Sequence, residues 1–225
     1  LSILLLCAMS WILAVVIVSY MTIRMIQNNS IQESMQIYLE QITREIDSDY
    51  YDMIGIVNQM SPNGLIGSVT ERYLSAEDNY DRYFEQKSLR EELIKLGYVN
   101  TKLLGIAYYD PKEQKELIGN FNVRVLDPSY QTISKVIVGA ENIIQAMHAS
   151  YLGIKETPVL SVMRRVSFGN KRVLDIYAEM EPDMSVSDRL NKEKWPYTYM
   201  ELDENGIVQY SNNPVIVRGQ KLLSE

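Results

Sequence analysis

Arg164 occupies the position in this chain that most needs a chemical explanation. It lies in the run Leu160-Ser-Val-Met-Arg-Arg-Val-Ser-Phe168. Read with a period of two, Leu160, Val162, Arg164, Val166 and Phe168 share one strand face, and only Arg164 among them is polar. A guanidinium on a core face is costly unless an acid, carbonyls or a bound ligand meets it. It therefore serves a structural pair with Asp or Glu, reaches solvent at a strand end, or contacts a ligand. Arg165 points the other way and reads as a solvated surface charge. In the following strand Leu174, Ile176, Ala178 and Met180 share one face, and Asp175, Tyr177 and Glu179 the other. Those carboxylates could form a general acid–base pair, but such alternation is more commonly a face turned to water. Tyr108, Tyr109, Tyr177 and Trp195 could build an aromatic platform for a sugar or another small ligand. They are equally the residues that strands favour. The candidate ligand-binding set is Arg164, Tyr108, Tyr177 and Trp195, with no catalytic residue and no metal ligand in the segment.

Several chemistries are excluded by what the sequence lacks. One Cys cannot make a disulfide framework or a cysteine-based zinc cluster, and one His cannot make a multi-histidine metal site. That histidine, His148, falls in Ala-Met-His-Ala-Ser-Tyr, read as helix over 141–150, without the context of a phosphoacceptor. There is no phosphate-cradling glycine loop and no nucleophile elbow, so no cofactor is expected. A net charge of −7 argues against a nucleic-acid partner, which would need clustered Lys and Arg. With 46% hydrophobic and 23% charged residues the composition is that of a globular chain.

The charge is unevenly spread. Residues 1–23 carry none, and the run from Leu1 to Tyr20 is long and apolar enough to span a bilayer, with Tyr20 as an interfacial aromatic and Arg24 at the exit. A cleaved signal peptide is the competing reading. Its apolar region would be shorter and followed by small residues, which Tyr20-Met-Thr-Ile-Arg24 does not provide. Cys7 lies inside the span, so the remainder has no cysteine, as suits an oxidising exterior. The chain begins with Leu rather than Met and ends at Glu225 without an evident stop, and is read as a fragment.

From Ile31 the apolar residues Met35, Tyr38, Ile42, Ile46, Tyr50, Met53, Val57 and Met60 follow at spacings of three or four. This predicts a stalk helix continuing from the span and ending at Ser61-Pro62-Asn63-Gly64. The stripe packs on its own domain or on a second copy of the chain. A second helix is predicted over 80–96, stopped by Gly97. Strands are predicted over 103–110, 116–122, 158–168 and 172–180, with turns at Pro111–Lys115 and Gly169-Asn170, and a further helix over 183–194. A last hairpin, 197–202 and 207–211 around Asn205-Gly206, reads as the start of another domain.

This order of parts resembles the double Cache sensor region of bacterial sensor histidine kinases, particularly those associated with carbohydrate-uptake operons. The resemblance rests on the N-terminal span, the stalk, Leu-Leu-Gly-Ile-Ala-Tyr-Tyr-Asp110, Pro-Val-Leu-Ser-Val-Met-Arg-Arg-Val166 and Met-Glu-Leu-Asp-Glu-Asn-Gly-Ile-Val-Gln-Tyr-Ser211. It implies an α+β architecture: a transmembrane helix over 1–23, a stalk over 24–60, a PAS-like membrane-distal domain over 61–190, and the start of a second PAS-like domain over 191–225. It also implies an extracytoplasmic location after about residue 25, a small-molecule ligand of carbohydrate type, and a homodimer through the stalk and membrane helices. A cytoplasmic response regulator would be reached through a kinase part that this segment does not contain. Arg164 falls where the family commonly has an Arg after the apolar strand. The full aromatic–Arg–Asp motif of amino-acid-binding Cache domains is not seen. Cache modules also serve chemoreceptors and cyclases, and an anchored extracellular binding protein or enzyme without signalling output is a third possibility.

Overall fold

The computed structural model describes residues 2–119, 141–151, 158–169, 171–182 and 198–222. The predicted helix 183–194, Trp195 and Asn170 lie outside them. By its internal contacts the chain divides into two units, Leu1–Arg44 and Glu45–Glu225. The first is helical throughout its described length, part of α1, Ser2–Met60. It contains an apolar stretch long enough to cross a membrane, with mean hydropathy 1.8 over 18 residues. No Pro interrupts α1 before Pro62, which accounts for its length.

The second unit begins with the last turns of α1. A tight corner follows at Ser61–Gly64 and leads into α2, Leu65–Ser75, which the apolar pattern had not disclosed. Gly67 is required there, because a Cβ would lie 1.8 Å from the Ser61 carbonyl oxygen. Helix α3 spans Asn79–Val99. Asp78 caps its N-terminus by accepting from the Asp81 N–H at 2.7 Å. Gly97 does not stop it. The stop comes at Asn100, whose backbone N–H and side-chain amide both donate to the Leu96 carbonyl.

The strands β1 (Leu103–Asp110), β2 (Lys115–Gly119), β3 (Ile143–Ala149), β4 (Pro158–Ser167) and β5 (Val173–Met180) form one antiparallel sheet in the order β2-β1-β5-β4-β3. The predicted strands at 103–110, 158–168 and 172–180 are all present, and the described part of the one predicted over 116–122 falls in β2, with 120–122 outside the described residues. The expected helix over 141–150 is instead the edge strand β3. A bulge between Gln145 and His148 is the reason. It breaks the period-two pattern, so Ile143, Ile144 and Met147 recur at a spacing that imitates a helix. The closing hairpin, β6 (Met200–Leu202) and β7 (Val208–Ser211), is a separate two-stranded sheet, turned at Gly206 with φ 73°.

Strand register sorts the sheet into two faces. Leu160, Val162, Arg164 and Val166 pair across from Met180, Ala178, Ile176 and Leu174, which in turn neighbour Ile106 and Tyr108 of β1. Towards this face α1, α2 and α3 contribute the buried Met53, Val57, Met60, Ile66, Val69, Leu89 and Leu93. The opposite face carries Ser161, Met163, Arg165, Asp175, Tyr177 and Glu179, with Gln145 and His148 from β3. It is not turned to water: Asp175, Tyr177 and Glu179 are all fully buried.

Candidate functional site

The first face grips the end of the stalk helix. Five hydrogen bonds join residues 49–61 to the sheet and its entry: Lys102 Nζ to Asp49 Oδ1, Tyr50 Oη to the Gln145 carbonyl, Tyr108 Oη to the Met60 carbonyl, and Arg164 to Asn58 and to Ser61. Arg164 donates from Nη1 to Asn58 Oδ1 at 2.7 Å and Ser61 Oγ at 3.2 Å, and from Nε to Asn142 Oδ1 at 2.8 Å. All three acceptors are neutral. No carboxylate meets it among the described residues. Burial lowers its pKa from the usual arginine value.

The location supplies the physical compensation. The last turn of α1 has no basic residue of its own. A helix C-terminus exposes orphan carbonyls and carries partial negative charge, which favours a nearby cation. Arg164 brings that cation from β4, and the Tyr108 hydroxyl caps the final carbonyl. Burial raises the Tyr108 pKa, keeping the phenol a donor at ordinary pH.

The other face holds a hydrogen-bonded network. Glu179 accepts from Tyr151 N–H at 2.7 Å, Tyr177 Oη at 2.6 Å and Ser150 Oγ at 2.6 Å. A buried carboxylate is tolerated when several donors converge on it in this way. Ser161 Oγ lies 2.6 Å from His148 Nε2 and 3.1 Å from Gln145 Oε1. His148 Nδ1 lies 2.7 Å from the Ala149 carbonyl, which can only accept, so Nδ1 carries the proton and Nε2 accepts. Burial lowers the His148 pKa to about 4 against the opposing pull of that carbonyl, so the ring is neutral at pH 7. Tyr151 stacks on it with centroids 4.1 Å apart. The Ser–His pair does not make a hydrolase site: Ser161 is fully buried, and the ring is oriented by a carbonyl rather than an acid.

Arg165 is not the solvated charge the alternation suggested. It forms a two-point ion pair with buried Asp175, Nε–Oδ1 2.8 Å and Nη2–Oδ2 3.1 Å. Arg172 meets Asp110 at 3.0 Å. Burial pushes the Asp110 pKa up, but the Glu113 and Lys112 amides and Arg172 outweigh it and hold the carboxyl below the usual range.

Among the four candidate ligand residues, Arg164 and Tyr108 thus share the stalk face and Tyr177 lies on the opposite one. Trp195 is outside the described residues. The neighbours of Tyr177 that matter, Glu179, Tyr151 and His148, were not in that set. Alternation alone turns Glu179 to water and the pattern around His148 predicts a helix, whereas Glu179 is buried and His148 lies on β3. An open groove of about 540 Å³ elsewhere, between α2 and α3, is lined by Arg72, Tyr80, Asp81, Phe84 and Glu85. No group of His, Cys, Asp or Glu that could hold a metal occurs among the described residues.

A long apolar N-terminal helix followed by an antiparallel sheet with helices on one face defines an α+β domain of Cache-like fold. Among solved structures the chain is similar to the sensor domain of the V. cholerae histidine kinase DctB. The TM-score is 0.53 at 12% identity, over 85% of this chain and 70% of that one, and the likeness concerns the fold. No family model matches the chain, and no curated protein matches it.

Proposed function

We propose that this chain is the extracytoplasmic sensing region of a membrane sensor histidine kinase. In this reading residues 1–23 cross the membrane, 24–60 form the stalk, 61–190 the membrane-distal sensing domain, and 191–225 the start of a membrane-proximal one. The observation that carries it is the grip of a Cache-like sheet on the last turns of a helix that begins in an apolar span. The shared fold with a histidine kinase sensor domain supports the same reading. A small molecule, with carbohydrate as the first class to test, is the ligand, and the buried Tyr177 is the first residue to test in its site. The ligand biases two arrangements of the sheet, and the stalk carries the difference to the membrane. A second copy pairs along the stalk, and the output is a kinase acting on a response regulator.

A thermal-shift panel of monosaccharides, disaccharides and amino acids tests the ligand assignment. A sugar that raises Tm in the parent, and much less in Tyr177→Phe, is the expected result. A sugar that shifts Tyr177→Phe as much as the parent removes Tyr177 from the site. Stabilisation by an amino acid with no response to sugars overturns the carbohydrate class.

A further inference from the structure

The closing hairpin meets the five-stranded sheet through a carboxylate. β7 packs beside β3, and the two sheets share no ladder. The hairpin's Glu201 points back at β3, where Oε2 accepts from the Met147 N–H at 3.4 Å. Its other oxygen, Oε1, accepts from Tyr199 Oη, also at 3.4 Å. Both bonds are long for charge-assisted contacts, which ordinarily lie near 2.7–2.9 Å. No Lys or Arg pairs with Glu201 among the described residues.

The titratable groups that interact with it are phenols. Tyr50 approaches from α1, and Tyr199 and Tyr210 from the hairpin itself; Asp47 acts on Tyr50 in turn. On β3, His148 is buried, and Arg218 acts on that ring. The contrast with Glu179 is direct, since that carboxylate has three donors within 2.7 Å.

We propose that Glu201 makes the seating of the β6–β7 hairpin on β3 proton-dependent, so that the hairpin closes on the sheet as the pH falls. An ionised carboxylate half-buried against two long hydrogen bonds and three phenol rings is poorly compensated. Protonation removes that penalty and leaves the packing intact. The direction of the titration agrees: burial raises the Glu201 pKa, with the Met147 amide and Tyr199 hydroxyl opposing. A carboxyl raised in the closed form contributes to closure as pH falls through its pKa. The acid response would therefore sit at the junction between the parts read from sequence as separate domains. It does not require any ligand on the Tyr177 face.

Hydrogen exchange on the full 225-residue chain in detergent micelles tests this, with rates normalised to intrinsic exchange between pH 8 and 5. In the parent, protection of Met147 and the β6–β7 amides, relative to β4 and β5, rises several-fold on acidification. Glu201→Gln, which mimics the protonated side chain, should be protected at all pH values and lose the slope. Tyr199→Phe, lacking one donor to the ionised form, should move the midpoint to higher pH. A flat parent profile overturns the proposal. So does a Glu201→Gln profile with the parent's slope, or one deprotected throughout.

Discussion

The two faces of the central sheet are both buried, yet they are built from opposite materials. The face towards the helices is largely apolar, and its Tyr108 hydroxyl and Arg164 both reach the last residues of α1 and the corner after it. The other face carries buried Glu179, Asp175, Ser161 and His148, each held by its own hydrogen-bond or ion-pair partners. The first arrangement is a joint: a few directional contacts tie the end of a long helix to the sheet. The second is a buried polar layer in which removing one group strands the partners bonded to it.

The largest effect is expected where the polar layer is broken at its centre. Glu179→Ala strands the Tyr151 amide and the Tyr177 and Ser150 hydroxyls, and should cost about 3–5 kcal/mol by urea unfolding. A loss below about 1 kcal/mol would mean that the layer is not a unit.

Acid should attack the same face next. His148 is depressed to about 4, so the unfolded chain takes up a proton before the folded one does. The stabilisation is complete above pH 6.5 and is lost as pH falls towards 4, by up to about 3 kcal/mol. His148→Gln should flatten that part of the Tm–pH curve, and an unchanged curve would place the acid sensitivity elsewhere. Asp110, held low, contributes a later loss, beginning in the ordinary carboxylate range and completed below its depressed pKa.

The helix face should respond more gently and more locally. Tyr108→Phe and Arg164→Gln should each cost about 1–2 kcal/mol. Their signature is faster hydrogen exchange in residues 56–61, with β4 and β5 unchanged. Uniform acceleration across the sheet would make both residues mere core contacts. At the far end of the scale, Arg72→Ala removes an exposed pair with Glu85 and should change stability by about 0.5 kcal/mol or less.

The same contrast explains what the sequence could disclose. Period-two runs made β1, β4 and β5 legible, and the phase of Arg164 placed it correctly on the apolar face. What that phase could not supply was its partner. Asn58 and Ser61 lie more than 100 residues away in sequence, and the helix end that compensates the charge is a backbone property with no side-chain signature. Asp175 and Glu179 were misread because alternation distinguishes two faces but does not say whether the polar one is covered. β3 was misread because its bulge changes the period. Helix α2 escaped notice because Gly64 and Gly67 look like a loop and serve a corner. Glu201 left no signal beyond a single acid in a hairpin strand.

The most direct test of the account is where the sheet domain lies relative to the membrane. Tyr98, on α3, is 80% exposed and suits replacement by Cys. With the parent carrying only Cys7, Tyr98→Cys should react with a membrane-impermeant thiol reagent on intact cells, while the parent does not. Labelling of Tyr98→Cys that appears only after lysis would put the domain in the cytoplasm and contradict an extracytoplasmic sensor.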